Sequence, residues 1–268
     1  MNAISTFYNK ILTAMSEKHY DINYLQNSRR LLGNLKEESY TYFQKINGGT
    51  IIDLGCGAGK DVIEMAKTVS KGTKVIGIDH DPAMLEQGKA DARELSNVEF
   101  VLSEAYPLQF EDQSVDGLRT ERVIQHLKEP QKVVNEIARI LKPESPFVII
   151  ETDWHSLSFY TPFTETHKKL NAYLTGTKIN NGFAARKLTY YLKQSNFKDI
   201  NFQIHPFILS TLDEANQYLW IEKMIQETAD QGFITRQEFD EFYGALKQAD
   251  TEGYFACSIN LVVATSIK

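Results

Sequence analysis

Apolar runs and amphipathic stretches alternate over the first part of the chain. Short runs rich in apolar residues predict five strands, near residues 50–54, 74–79, 98–102, 114–119 and 147–151. Apolar positions at helical spacing predict helices between them, near residues 60–70, 82–95 and 130–141. Alternation of strand and helix is typical of an α/β fold with a doubly wound sheet, so we predict that fold class.

The pattern changes after the fifth strand. Alternating apolar residues predict two more strands, near 201–207 and 258–265, while residues 4–45 and 211–249 carry apolar and aromatic side chains at helical spacing. Open α/β sheets bind ligands at the carboxyl ends of their strands, so we predict that both helical segments cap that edge. The alternative is that they only complete the core. The aromatic-rich stretch 152–182 would form the remaining wall.

The clearest chemical feature follows the first strand, in the sequence TIIDLGCGAGK at residues 50–60. The apolar run closes on Asp53, and glycines follow at alternate positions, Gly55, Gly57 and Gly59. Glycine lets the backbone adopt positive φ and approach a ligand without a Cβ in the way. A strand that feeds such a loop and then a helix therefore predicts a ligand cradle, and the alternative is an ordinary tight turn.

Asp79 ends the second apolar run, roughly 20 residues beyond the glycines, where an acid accepts hydrogen bonds from a ribose diol. A dinucleotide loop would need a small residue in place of Lys60, and a phosphate-binding loop would need Ser or Thr in place of Asp61. Asp53 would repel a pyrophosphate but suits an ammonium group. A ribose and an ammonium group without phosphate indicate S-adenosylmethionine.

With these residues the sequence resembles the class I S-adenosylmethionine-dependent methyltransferases, particularly the branch of the ubiquinone/menaquinone-biosynthesis methyltransferases. The resemblance covers about residues 48–152 with specific motifs and the rest of the chain more loosely. It implies a Rossmann-like, mostly parallel seven-stranded sheet of order 3-2-1-4-5-7-6, whose last strand is antiparallel, with helical caps. It also implies that Asp53 and the glycine loop lie at the methionine part of the cofactor, with Asp79 on the ribose.

The resemblance implies further cofactor contacts. His80 and Met84 would lie against the adenine. Glu104 and Ala105 fall on the family's GlyAspAla-like segment after strand three, where Glu104 is one methylene longer than the usual Asp. Thr120, after strand four, would turn its carbonyl toward the cofactor.

Catalytic residues are predicted at the ends of strands four and five. Methyl transfer from a sulfonium is an in-line displacement, so alignment matters most, and a base is needed only if the acceptor must lose a proton. If residues 122–127 are helical, Arg122 and His126 share a face and either could point to the substrate. The alternatives are a salt bridge for Arg122, to Glu121 or Asp116, and for His126 a histidine that caps the loop or packs on the adenine.

The segment predicted to follow strand five, ETDWH at residues 151–155, supplies two more candidates. Asp153 and His155 could activate an acceptor hydroxyl, while Trp154 and Tyr160 could stack on an aromatic ring or shelter the sulfonium. Ordinary loop polarity explains Asp153 equally simply. Arg186 begins a predicted helix and could meet an acidic substrate, although a structural role is the commoner one for such an arginine.

Composition narrows the function further. The chain has 268 residues, 42% of them hydrophobic, and a net charge of −6 without a Lys/Arg-dense stretch, which disfavours a nucleic-acid substrate. We see neither a membrane span nor a secretory signal and predict a cytoplasmic protein. Cys56 and Cys257 lack metal-ligand spacing and suit buried, reduced thiols, and we predict no metal.

We predict one methyltransferase domain over residues 1–268. Its parts are a helical cap (1–46), a cofactor-binding core (47–152), substrate-side helical segments (153–200 and 208–253) and closing strands (201–207 and 258–266). Arg29 and Arg30, on the cap, could reach the cofactor's carboxylate, which needs a cationic or amide partner.

The sequence thus predicts an S-adenosylmethionine-dependent methyltransferase that acts on a small-molecule acceptor, aromatic or partly apolar. The alternatives are a nucleotide-linked oxidoreductase and a non-catalytic cofactor-binding protein. The acceptor, the choice among O-, N- and C-methylation, the need for a base and a homodimeric state stay open.

Overall fold

The structure is a computed structural model that describes residues 22–268, with backbone only for residues 22–31. Residues 34–268 form one compact unit. Helix α1, Ile22–Thr41, lies within the segment predicted to form the N-terminal cap. Residues 1–21 and the side chains of Arg29 and Arg30 lie outside the described residues, so their predicted roles stay predictions.

Seven strands form one sheet in the predicted order β3-β2-β1-β4-β5-β7-β6, which confirms the fold class. The strands β1 to β5 pair in parallel, and β7 runs antiparallel to β5 and β6. Their bounds are β1 Gly49–Leu54, β2 Thr73–Asp79, β3 Val98–Leu102, β4 Gly117–Glu121, β5 Pro146–Phe159, β6 Lys198–Leu209 and β7 Cys257–Ile267.

Helices connect the strands. The bounds of those after α1 are α2 Lys60–Thr68, α3 Pro82–Asp91, α4 Pro130–Ile140, α5 Thr164–Tyr173, α6 Ala184–Gln194, α7 Leu212–Leu219, α8 Ile221–Asp230 and α9 Arg236–Thr251. Helices α7 to α9 lie where helical spacing predicted them, between β6 and β7. No helix among the described residues is both long enough and apolar enough to cross a membrane.

Burial on both faces of the sheet explains why the inner strands are apolar runs. Ile51 and Ile52, neighbours on β1 whose side chains point to opposite faces, are both fully buried. Helix α4 buries Val134 and Ile137 in the core on one side of the sheet. Its start at Pro130 and its end before Pro143 match the predicted signals.

Among the strand ends that differ from the prediction, two affect the candidate site. The strand β4 continues to Glu121 instead of ending at residue 119. The strand β5 continues to Phe159 instead of ending at residue 151, because its second half pairs with β7 as far as Phe159 and Cys257. Asp153 and His155 therefore lie within a strand, and the prediction that they follow it is wrong.

Candidate active site

The glycine loop after β1 has the backbone conformation that only glycine adopts without strain. Gly55, Gly57 and Gly59 have φ of 75°, 53° and 70°. A Cβ added to Gly55 would overlap the side chain of Val123, and one added to Gly59 would overlap the ring of Phe100. The loop is therefore packed closely against the segment that follows β4 and against β3.

Gly55→Ala tests this crowding. The left-handed conformation costs an alanine about 1–2 kcal/mol, and overlap with Val123 adds to that cost, so we expect a loss of about 2–4 kcal/mol in the free energy of unfolding. Gly72→Ala is the matched control, because Gly72 has φ of 92° but no atom within 4 Å of an added Cβ. Urea unfolding measures both losses, and equal losses would contradict the crowding.

The carboxylate of Asp79 fastens the glycine loop to the end of β2. One oxygen accepts a hydrogen bond from the N–H of Gly57 (2.7 Å) and the other from the N–H of Asp81 (2.9 Å). The carbonyl of Ile78 accepts two more bonds from the loop, from the N–H groups of Gly55 and Cys56. Each carboxylate oxygen keeps a second lone pair, so these bonds are compatible with the predicted ribose contact, which stays a prediction.

The residues predicted to contact adenine lie beyond the ends of β2 and β3, which pair directly at Asp79 and Leu102. His80 is 75% exposed, and its Nδ1 lies 3.4 Å from a carboxylate oxygen of Asp79. Glu104 is exposed, while Met84 and Ala105 are half-buried. This edge of the sheet thus presents accessible side chains from two neighbouring strand ends.

Below the glycine loop lies a buried group of charges, which we call the ionic cluster. Its members come from α1, β1, α2 and β4, and they are Lys36, Asp53, Asp61, Arg119 and Glu121. Arg119, at the centre, lies 3.1 Å from a carboxylate oxygen of Asp53 and 2.5 Å from one of Glu121. Lys36 lies 2.7 Å from Asp61 and 3.0 Å from Glu121. Ser39 and Tyr40 of α1 add hydrogen bonds to Arg119 and Asp61.

Burial and the two cations act in opposite directions on the acids of the ionic cluster. Burial raises the pKa of Asp53 to about 7 although Arg119 pulls it down. Burial also raises the pKa of Asp61, but Lys36 and Arg119 outweigh it, and the net shift is downward. Asp53, predicted to face an ammonium group, thus already has a cationic partner within the protein.

Sequence reasoning missed Arg119, Lys36 and Glu121 as members of a site. The available signal was Arg119 itself, a charged residue in the middle of the strand GLRTE, because a charge buried in a sheet requires a partner. Asp61 served only as an argument against a phosphate-binding loop. Which acid lies opposite Arg119 depends on strand pairing, and the register places Asp53 directly beside it.

The segment after β4 is a tight turn, residues 122–126, which we call the β4 turn. Arg122 has φ of 54°, and only Ile124–His126 form a single 3₁₀ turn. The helical face predicted for Arg122 and His126 is therefore absent. The guanidinium of Arg122 lies 3.1 Å from Glu121, which is one of the two salt bridges considered, and the ring of His126 contacts the amide of Gln125 (3.0 Å).

The remaining strand-end residues are placed as follows. Thr120 is buried in β4, where its hydroxyl donates to the carbonyl of Leu54 at 3.0 Å. Asp153 is buried and forms a two-pronged salt bridge with Arg186, at 3.0 and 3.1 Å. Ordinary loop polarity therefore does not explain Asp153. His155 is exposed, with its ring centroid 5.5 Å from that of Phe183.

Trp154 and Tyr160 differ in their surroundings. Trp154 is buried, and its indole N–H donates to the side chain of Gln125 at 2.7 Å. Tyr160 is 74% exposed and meets Tyr254 edge to face. Among the residues that the structure describes, no three His, Cys, Asp or Glu side chains gather closely enough to hold a metal ion.

Comparison with known proteins adds to this geometry. The family model of the methyltransferase domain matches residues 45–201, more than half of the chain. The chain belongs to the methyltransferase domain family. S-adenosylmethionine is the cofactor of this family, and the resemblance seen in the sequence is confirmed.

Two relatives are similar over most of the chain. The demethylmenaquinone methyltransferase of Lactococcus lactis is 32% identical over 170 residues, which are 63% of this chain and 63% of that protein. An uncharacterised 37.1 kDa protein from transposon TN4556 of Streptomyces fradiae is 31% identical over 187 residues, 70% of this chain and 54% of that protein. The chain thus spans less than two thirds of either relative.

Solved structures show the same fold at low sequence identity. The YcgJ protein of Bacillus subtilis has a TM-score of 0.57 at 18% identity, over 90% of this chain and 99% of that one. Geranyl diphosphate C-methyltransferase of Streptomyces coelicolor A3(2), solved with Mg²⁺, geranyl diphosphate and S-adenosyl-L-homocysteine, has a TM-score of 0.52 at 17% identity, over 94% of this chain and 86% of that one.

Proposed function

We propose that this protein is a methyltransferase that moves the methyl group of S-adenosylmethionine to a small-molecule acceptor, aromatic or partly apolar. The observation that carries the proposal is the glycine loop fastened by Asp79 at the carboxyl ends of the parallel strands, in a chain of the methyltransferase domain family. The demethylmenaquinone methyltransferases among its relatives support an acceptor with apolar character.

We assign the cofactor to the carboxyl ends of β1, β2 and β4. The glycine loop and Asp53 would lie below its methionine part, and Asp79 would bind its ribose. The adenine would lie among the accessible side chains at the ends of β2 and β3. The residues assigned to the cofactor are Asp53, Gly55, Gly57, Gly59, Asp79, His80, Met84, Glu104, Ala105 and Thr120.

In the proposed reaction a lone pair or carbanion of the acceptor attacks the methyl carbon. The carbon–sulfur bond breaks, its electron pair stays on sulfur, and S-adenosylhomocysteine leaves; an O–H, N–H or C–H acceptor also loses its proton. The protein's main contribution is to hold the reacting atoms in line. Its groups nearest to the acceptor are proposed to be Arg122, His126, Asp153 and His155.

Among these four, His155 is the best candidate for a base. Its ring is exposed, and histidine is the side chain that acts most often as a general base. The carboxylate of Asp153 is held by Arg186, and the ring of His126 lies against the amide of Gln125, so both side chains have structural partners. We therefore assign Asp153 and His126 mainly to shaping the acceptor side.

Calorimetric titration tests the cofactor directly. We expect S-adenosylmethionine and S-adenosylhomocysteine each to bind at a single site, and NADH to bind neither there nor elsewhere. A folded sample that binds neither compound at high micromolar concentration would refute the proposal, whereas NADH binding alone would favour the nucleotide-linked oxidoreductase.

Incubation with methyl-labelled cofactor and a metabolite extract tests the transfer step. Mass spectrometry should reveal a labelled small molecule that is absent when the protein is omitted. Cofactor binding without any labelled product, across several extracts, would favour the non-catalytic cofactor-binding protein instead.

A further inference from the structure

Glu151 is a buried acid on β5 that the proposed reaction does not use. Its side chain is fully buried, and Oε1 accepts a short hydrogen bond, 2.6 Å, from the N–H of Ile124 in the β4 turn. Oε2 has no hydrogen-bond partner among the described residues. Burial raises the pKa of Glu151 to about 8, although N–H groups of the β4 turn and Arg122 act against this.

Burial of a carboxyl group in this position lowers the stability of the folded protein. Complete burial removes its hydration, and one oxygen gains nothing in return within the described residues. What Glu151 does supply is an acceptor for the β4 turn, through the N–H of Ile124 at 2.6 Å. An apolar side chain there would leave this donor buried without an acceptor.

Other hydrogen bonds hold the β4 turn against β5 and against the loop before α6. Trp154, also on β5, donates to the side chain of Gln125 at 2.7 Å. The N–H of Asn181 donates to the carbonyl of Gln125 at 2.9 Å, and the amide of Asn180 donates to the carbonyl of His126 at 2.9 Å. The backbone of the β4 turn is thus fixed through the N–H of Ile124 by Glu151 and through its carbonyls by the loop before α6.

We propose that Glu151 is a positioning residue for methyl transfer, which sets the β4 turn against the methyl-bearing end of the cofactor. The inference rests on the proposed function, because only the assigned cofactor site places the β4 turn beside the methyl group. Val123 connects the two, since its side chain packs directly over Gly55 of the glycine loop. A shift of the β4 turn would therefore reach the cofactor loop.

The test compares two substitutions of Glu151. Glu151→Met keeps the volume but removes the acceptor, and we expect it to weaken S-adenosylhomocysteine binding by roughly tenfold to a hundredfold, the range for a buried N–H that loses its acceptor. Glu151→Gln keeps an acceptor oxygen for Ile124 and should restore most of the affinity. This rescue distinguishes positioning from mere packing, because both variants fill the same space.

Glu136→Met is the matched control. Glu136 is likewise buried and accepts a hydrogen bond from a backbone N–H, that of Leu108, at 2.9 Å, but it lies on α4 away from the β4 turn. Glu136→Met should lower the thermal stability and leave the affinity for S-adenosylhomocysteine unchanged. An unchanged affinity in Glu151→Met, an equal loss in Glu151→Gln, or an equal loss in Glu136→Met would overturn the proposal.

Two further results remain interpretable. If Glu151→Met does not fold, Glu151→Gln and Glu136→Gln are compared: a loss of a few-fold in affinity is expected only in Glu151→Gln, and equal affinities overturn the proposal. If the wild-type protein binds no cofactor, the proposed function is wrong, and the positioning role is wrong with it. This result is seen in the wild-type protein, so it is distinct from any result on the Glu151 variants.

Discussion

Replacement of Arg119 by leucine is expected to lower the free energy of unfolding by about 3–5 kcal/mol at about pH 8. Arg119 is 1% exposed and is the cation between Asp53 and Glu121, so its loss leaves two buried carboxylates facing each other. Urea or thermal unfolding measures the loss. Arg236→Leu removes an arginine from an exposed ion pair with Asp240 and should change stability by less than about 1 kcal/mol.

The loss should also depend on pH. Burial raises the pKa of Asp53 from 3.8 to about 7, so the folded protein holds a proton that the unfolded chain releases. Asp53 therefore makes stability fall as the pH rises from about 4 to about 7. Without Arg119 this pKa rises further, and the fall extends to higher pH. A deficit in Arg119→Leu that is no larger at about pH 8 than at about pH 5 would contradict the role given to Arg119.

Asp79→Ala is expected to weaken S-adenosylhomocysteine binding at least about 100-fold. The substitution removes the acceptor of the Gly57 and Asp81 N–H groups and, in the proposed site, the acceptor of the ribose diol. Hydrogen bonds to a charged group contribute about 1.5–3 kcal/mol each, and about 1.4 kcal/mol corresponds to a tenfold change in affinity. Calorimetric titration of the folded variant gives the dissociation constant directly.

Asp81→Ala is the neighbouring control. The Asp81 side chain caps α3 by accepting from the N–H of Ala83 at 2.9 Å, so its removal should cost about 1 kcal/mol of stability and leave the affinity within a few-fold of wild type. The backbone N–H of Asp81, which Asp79 holds, is unaffected. Wild-type affinity in Asp79→Ala, or the same loss in Asp81→Ala, would contradict the role of Asp79.

The parallel part of the sheet could be predicted because its strands carry their own signal. Strands buried on both faces are mostly apolar, and each is bounded by glycine, proline or a polar turn within the local sequence. The second half of β5, Thr152 to Phe159, gave no such signal because it is mostly polar and its apolar residues, Trp154, Leu157 and Phe159, keep no regular alternation. It is a strand because β7, about a hundred residues later, pairs with it.

Two features of the candidate site could be singled out from the sequence, and their roles in binding stay predictions. The glycine loop and Asp79 lie at a spacing along the chain that by itself indicates a nucleoside ligand. The partners of Asp53 and the contact of Glu151 could not be predicted, because each depends on which side chains meet across neighbouring strands and turns. Arg122 shows most clearly where prediction from the sequence fails. The sequence allows a helix over residues 122–127, but the left-handed backbone of Arg122 prevents it.

The contacts of α1 also decide how far the chain can be shortened. The family match begins at residue 45, but Lys36, Ser39 and Tyr40 all bind members of the ionic cluster from before that point. A polypeptide trimmed to the matched region would keep Asp61 and Glu121 and lose the ammonium group between them. The shortest fragment that keeps the charges of the ionic cluster balanced must therefore begin before Lys36.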